Sequence, residues 1–319
     1  MKKTLTYLML VLSTVFWGVS FIMTKELFLT EGGMTVTILI TLRLAVATVV
    51  FIPSLAMLGK LQRVRREDIK WFLLLALAEP FVYNLCETSG VQLVSGSLAS
   101  VVIATIPLFV PFGMALAYKE RIGASTLAGV AMSMVGIAIM LIGGEELRGS
   151  WQGMLFLAAA VFIAVVYTLI LVKIVDHYRP VTITAYQNLI GLVFYLPLML
   201  AVDGSHLSQL SFSPKMILLL LALGVCCSTL AYVFYNYGVR QLGASAACVF
   251  NNAIPVFSLI AAIAIGQEHF AWSKVVGAAV VIGGVFLAQR GAVSRNSVNT
   301  SKSEINVNHT QPAENQEVR

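Results

Sequence analysis

Three charged side chains sit where a bilayer would hold almost none. Arg43, Glu79 and Glu87 fall inside apolar stretches long enough to cross a membrane. On insertion scales each such charge costs about 2.5–3.5 kcal/mol, so it needs a partner or a use. At the helical rise per residue, Arg43 comes to roughly 12 Å below the outer surface, Glu87 to roughly 6 Å and Glu79 to roughly 18 Å. Arg43 thus lies between the two carboxylates in depth, and Lys25 is level with Glu87. The expected arrangement is a charged cluster in the outer half of a central cavity, with Arg43 paired to Glu79 or Glu87. Two chemistries fit. One is a structural ion pair that orients the second and third spans. The other is a site that binds a charged head group or a proton. For Lys25 and Glu87, nearer the interface, snorkelling favours the structural reading.

Uncharged polar groups extend the candidate set. Tyr83, Asn84 and Tyr235 place phenol and amide groups in the third and eighth spans, and Trp17 lies in the first. Such side chains suit a solute with an apolar body and polar groups, and they suit interfacial belts equally well. Asn251 and Asn252 are adjacent amides in hydrocarbon, which need partners across helices or in water. They stand just before Pro255, whose counterpart in the fourth span is Pro107, and Pro80 follows Glu79 directly. A proline inside a helix bends it, and bent helices at membrane depth are expected where a cavity is lined. A packing kink without solute contact is the rival reading. Glu120 and Glu268 close the fourth and ninth helices at loops. Each is expected to bond the N–H groups that open the next helix, a structural role.

The elements that must position these groups are helices. Of 319 residues, 58% are hydrophobic and 11% charged, against about 25% charged in a soluble domain. Ten apolar spans can be drawn: 5–27, 35–57, 69–89, 94–118, 123–143, 153–175, 181–201, 216–237, 244–266 and 270–289. An outer-membrane barrel would instead alternate in segments of about ten residues. The fold class is therefore all-α integral membrane. Met1-Lys2-Lys3 and the following apolar run read as the first span and an uncleaved anchor, because the run outlasts a signal-peptide core. The net charge of +6 sits in short loops, so it speaks of topology and not of a nucleic-acid partner. Cys86, Cys226, Cys227 and Cys248 lack ligand or disulfide spacing, and no metal is expected. There is no HExxH, no phosphate loop and no mid-span aspartate, which disfavours a membrane-embedded enzyme.

The chain also repeats itself. At an offset of 148, Gly90 to Gly136 matches the second half at thirteen of 47 positions, where roughly four or five would arise by chance. Ile106-Pro107 matches Ile254-Pro255, Glu120 matches Glu268, and Gly129 and Gly136 match Gly277 and Gly284. Residues 1–147 and 148–290 are read as two five-helix units. An odd helix number makes the second copy cross in the opposite sense, an inverted repeat. Sixteen of the 21 basic residues fall on one side if both termini are cytoplasmic, which sets the orientation. Residues 291–319 form a polar tail expected to be disordered.

These features together resemble one family. Phe16-Trp17-Gly18-Val19-Ser20-Phe21 with Lys25, Thr41-Leu42-Arg43-Leu44, Gly90 through Ser97-Leu98-Ala99-Ser100, Pro107 and Glu120 carry the likeness in the first copy. Gly238 through Ala244-Ser245-Ala246-Ala247, Pro255 and Glu268 carry it in the second. The chain resembles the EamA family of the drug/metabolite transporter superfamily over residues 5–289. The resemblance implies a ten-helix inverted-repeat carrier in the bacterial inner membrane, working by alternating access, with no cofactor. It implies export of small metabolites such as amino acids, through a cavity lined by spans one to four and six to nine. Glu79 and Glu87 stand outside the general family pattern and point to a cationic or zwitterionic solute, or to proton coupling. The rival functions are an embedded enzyme, a structural or regulatory membrane protein and, within the same fold, a nucleotide-sugar or phosphate-ester carrier. Expected partners are a small-molecule solute and the lipid bilayer, with a homodimer as a further assembly to test.

Overall fold

The computed structural model describes residues 2–120, 122–141, 150–267 and 271–288. Glu268, the junction expected between the two copies and the polar tail lie outside them. Every regular element among the described residues is helical. A helix suits hydrocarbon because it satisfies its backbone groups within itself. Eight helical stretches are long and apolar enough to cross a bilayer. They are α1 (Lys2–Thr30), α2 (Val36–Met57), α3 (Ile69–Ala76) continuing into α4 (Tyr83–Leu93), and α5 (Gly96–Ile103) continuing into α6 (Ile106–Tyr118). After α7 (Ala124–Leu141) come α8 (Trp151–Ile174), α9 (Pro180–Asp203), α10 (Pro214–Leu221) continuing into α11 (Ala231–Leu242), and α12 (Ala244–Cys248) continuing into α13 (Ile254–Ala264). Two shorter apolar helices, α7 (Ala124–Leu141) and α14 (Trp272–Ala288), occupy the fifth and tenth predicted segments.

Short hydroxyl side chains start several helices. Thr35, Ser95 and Ser213 each accept a bond from the backbone N–H three residues on, at the starts of α2, α5 and α10. The breaks are as informative as the helices. Between α3 and α4 the chain makes a π-helical stretch, Leu77–Val82, in which Glu79 is extended at φ −142°, ψ 119°. Pro80 has no N–H for the ladder, and its ring packs on Gly191 of α9. The Tyr195 hydroxyl from α9 donates to the Phe81 carbonyl beside the break. A second π stretch, Ala222–Leu230, joins α10 to α11 without any proline. Shifted by 148 residues, the first stretch falls inside the second. The fourth and ninth spans also break at matching places. Pro107 and Pro255 lie in the first turn of a restarted helix, α6 or α13. The expected mid-helix bends are thus helix starts, where a missing N–H costs nothing.

The halves are interleaved. Helix α1 packs on α11 and α13 of the second half, while α8 packs on α4 and α6 of the first, and α2 lies along α9. Helices α7 and α14 touch at their glycines. A β-carbon on Gly129 would stand 2.5 Å from the Gly284 carbonyl, and one on Gly136 2.7 Å from the Gly277 carbonyl. Between them Ser133 Oγ lies 3.4 Å from the Val281 carbonyl.

Polar ties close both ends of the bundle. At the end holding Thr30 and Pro214, Glu26 pairs with Lys215 and accepts from Gln267 Nε2 at 2.7 Å. Glu31 accepts from Ser211 and Ser213. At the other end the Tyr178 hydroxyl donates to Asp68 Oδ2 at 2.6 Å and accepts from Arg65 N at 3.1 Å. Burial, then the bond to Asp68, pushes the Tyr178 phenol above its ordinary range. Its protonated form is the stabilising one, so the tie holds below the ordinary phenol pKa and fails only as pH rises through the raised value. Tyr178→Phe should lower stability by about 1 kcal/mol at neutral pH, read as a fall in detergent melting temperature.

Candidate functional site

The breaks in the third and ninth spans open a hollow at mid-bundle. It has about 650 Å³ of empty space, its mouth included. Of the nine residues proposed from sequence for a solute pathway, eight line it: Trp17, Arg43, Glu79, Tyr83, Asn84, Glu87, Tyr235 and Asn251. They come from α1, α2, the Leu77–Val82 stretch, α4, α11 and the Val249–Ala253 turn that precedes α13. Asn252 is not among the lining residues. It is wholly buried, and neither polar atom of its amide has a partner among the described residues.

The expected ion pair is not formed. Among the described residues Arg43 makes no salt bridge, and its Nε donates instead to Ser228 Oγ at 3.2 Å. Ser228 belongs to the second π stretch, whose open geometry brings that hydroxyl to the guanidinium. Depth along the bilayer had placed Arg43 between two carboxylates, but depth says nothing of which way each helix face turns. Arg43, Glu79 and Glu87 nonetheless line one cavity. Glu79 is buried beside the Tyr232 hydroxyl. Among the described residues neither its Oε2 nor Asn251 Oδ1 has a partner.

Aromatic rings line the cavity as well. Trp17 meets Tyr232 edge-on with centroids 5.1 Å apart and Tyr235 at 5.2 Å. Tyr167 of α8 stands edge-on to Tyr232 at 6.4 Å, and its hydroxyl donates to Asn236 Oδ1 at 3.2 Å. Asn236 Nδ2 in turn donates to Thr184 Oγ1. Tyr167, Thr168, Tyr232 and Ser20 are lining residues that the sequence reading missed. The Tyr167-Thr168 pair in the middle of an apolar run was the available signal for two of them.

Residues assigned to structure have structural partners. Lys25 Nζ donates to the carbonyls of Val91 and Gln92 at 3.2 and 2.9 Å, capping the end of α4. Lys25→Met should therefore cost about 1 kcal/mol of stability, checked by melting in detergent. Glu120 accepts from Ser245 Oγ at 3.0 Å, at the start of α12. That bond ties the first half to the second, a partner different from the expected next helix. Cys86, Cys226, Cys227 and Cys248 are free thiols.

Comparison with known proteins adds the family to this geometry. The model of the EamA-like transporter family matches residues 4–142 and again 151–289. The chain belongs to the EamA-like transporter family. It is a multi-pass membrane protein and a transporter. An uncharacterized transporter of Archaeoglobus fulgidus is 26% identical over 290 residues, covering 91% of this chain and 99% of its own. A protein of Streptantibioticus cattleyicolor named "Probable terminal-alkyne amino-acid exporter" is 27% identical over 296 residues, covering 92% of this chain and 97% of its own. One crystal structure superposes with a TM-score of 0.68 at 18% identity, covering 86% of this chain and 97% of that one, a likeness of fold. For this EamA-family chain, a membrane-embedded enzyme is the weaker reading, since the relatives carry transporter names.

Proposed function

We propose that this chain is a secondary carrier that exports a small amino-acid-like metabolite across the bacterial inner membrane, alternating the access of its central cavity between the two faces. The observation that carries the reading is the cavity. It lies at mid-bundle, lined by both halves, and holds charged and amide groups that would cost energy in hydrocarbon without a solute or water to meet them. Substrate sites at the interface of repeats are the common plan of secondary transporters. The name of the Streptantibioticus relative supports the amino-acid class. One basic side chain, Arg43, lines the cavity, which speaks against a nucleotide-sugar or phosphate-ester cargo.

Ten spans in two inverted units, 1–147 and 148–290, with both termini cytoplasmic, are part of this proposal. Its support is the reciprocal glycine contact. Gly129 meets Gly284 and Gly136 meets Gly277, and each of those pairs is the other one with the copies exchanged. A self-complementary contact of this kind is what a two-fold relation produces. The two π stretches at matching positions support it too. Trp17, Tyr83, Asn84, Glu87, Tyr235 and Asn251 then serve the solute pathway with Arg43 and Glu79, and Asn252 backs Asn251 from behind. Pro80, Pro107 and Pro255 shape the cavity walls.

The test is a metabolite profile of medium and cytoplasm in cells that lack or overproduce the protein. At least one amine-bearing metabolite should accumulate inside on deletion and outside on overproduction. Identical profiles in all three strains, with the protein shown to reach the membrane, would end the carrier reading.

A further inference from the structure

The polar groups of the cavity do not satisfy one another among the described residues. Glu79 and Glu87 line it against one guanidinium, that of Arg43, which pairs with neither. Among the described residues Glu79, 3% exposed, leaves Oε2 unpartnered, and Asn251, 6% exposed, leaves Oδ1 unpartnered. Both orphan atoms are acceptors. Lys25 does not supply a cation here, because its Nζ donates to the Val91 and Gln92 carbonyls. The rings of Trp17, Tyr83, Tyr167, Tyr232 and Tyr235 line the same cavity, and ring faces attract cations.

Resting on the carrier reading above, we infer that the cavity recognises its solute by an organic ammonium group, seated among Glu79, Glu87 and Asn251 Oδ1 with the aromatic wall behind it. An ammonium brings three donors and no acceptor, so it meets the unpartnered oxygens. A carboxylate without an ammonium would bring only acceptors to atoms that are themselves acceptors. The ammonium can belong to a simple amine or to an amino acid, whose carboxylate Arg43 is free to meet with its terminal nitrogens.

Calorimetric titration of the purified full chain in detergent separates these cases. The probes are phenethylamine, leucine, lysine and 3-phenylpropionate, the last matching phenethylamine in ring and chain but carrying a carboxylate. Phenethylamine should bind at least tenfold more tightly than 3-phenylpropionate. Binding of leucine or lysine above phenethylamine assigns the ammonium to an amino acid, and the reverse order assigns it to an amine. Both orders support the inference. Glu79→Gln and Glu87→Gln should each weaken the best ammonium probe at least tenfold, whereas Glu79→Asp should stay within a few fold. Size-exclusion elution checks folding, and if Glu79→Gln aggregates, Glu87→Gln alone decides. The inference is overturned if 3-phenylpropionate binds as well as the amine, if the glutamine variants bind normally, or if no ammonium probe binds. Any of these results alongside a deletion-dependent metabolite profile sinks the ammonium and leaves the carrier. An unchanged profile sinks the carrier itself.

Discussion

A protein carrying Arg43→Glu together with Glu79→Arg should export no better than either single variant. All three should fall below about a tenth of the wild-type rate, a barrier increase of at least about 1.4 kcal/mol. The double variant restores the net charge of the cavity but not the places of its charges. Arg43 is held on α2 by the bond from its Nε to Ser228, on a π stretch of the second half. Glu79 sits in an extended residue at the break of the third span, beside the Tyr232 hydroxyl. The two sites differ in neighbours, in backbone and in what they can bond, and no salt bridge joins them. An ordinary ion pair would tolerate the exchange, because the pair needs only opposite charges at one distance. Efflux of the metabolite found by profiling, normalised to the amount of protein in the membrane, gives the answer. Recovery of the double variant to half of wild type would return Arg43 and Glu79 to a structural pair.

The site was legible where an apolar run is interrupted by a group that hydrocarbon penalises. Arg43, Glu79, Glu87, Asn84 and Asn251 stand out in this way, and the structure brings all five to one cavity. Tyr167 and Tyr232 did not stand out, since a tyrosine in a span fits an interfacial belt as well as a cavity wall. Their inward turn is a matter of helix azimuth. In a membrane helix both faces are apolar, so periodicity does not reveal which face looks inward. The same blindness produced the expected pairing of Arg43 with a carboxylate, because sequence fixes height along the span and leaves rotation open. Ser228, the actual partner, is too common a residue to draw notice. Prolines marked the breaks at Pro80, Pro107 and Pro255, but the stretch Ala222–Leu230 has none. Only its position opposite Leu77–Val82 in the second copy could have flagged it.

Gly18→Leu should leave little folded protein, and Gly18→Ala should lower the melting temperature by several degrees. Gly18 is where α1 crosses α13. A β-carbon there would stand 2.7 Å from Phe257 Cβ, 2.8 Å from the Ile254 carbonyl and 3.0 Å from Ser258 N. Two of those atoms are backbone of the first turn of α13, which Pro255 fixes in place, so the contact cannot be relieved by a rotamer change. Overpacking of this kind costs about 1–3 kcal/mol for a small group and more for a large one. The effect should reach the cavity as well, because Trp17 precedes Gly18 on α1, and Asn251 and Ile254 line the cavity from the chain that runs into α13. Pushing the two helices apart would widen the gap between the aromatic wall and the Asn251 amide. Gly32→Ala is the matched control, since no heavy atom lies within 4 Å of its added carbon, and it should change stability by less than about 0.5 kcal/mol. Thermal stability in detergent, read by size-exclusion after heating, separates the two. A Gly18→Leu protein that melts like wild type would mean that α1 and α13 are not held in close contact there, and the cavity would lose one of the walls that define it.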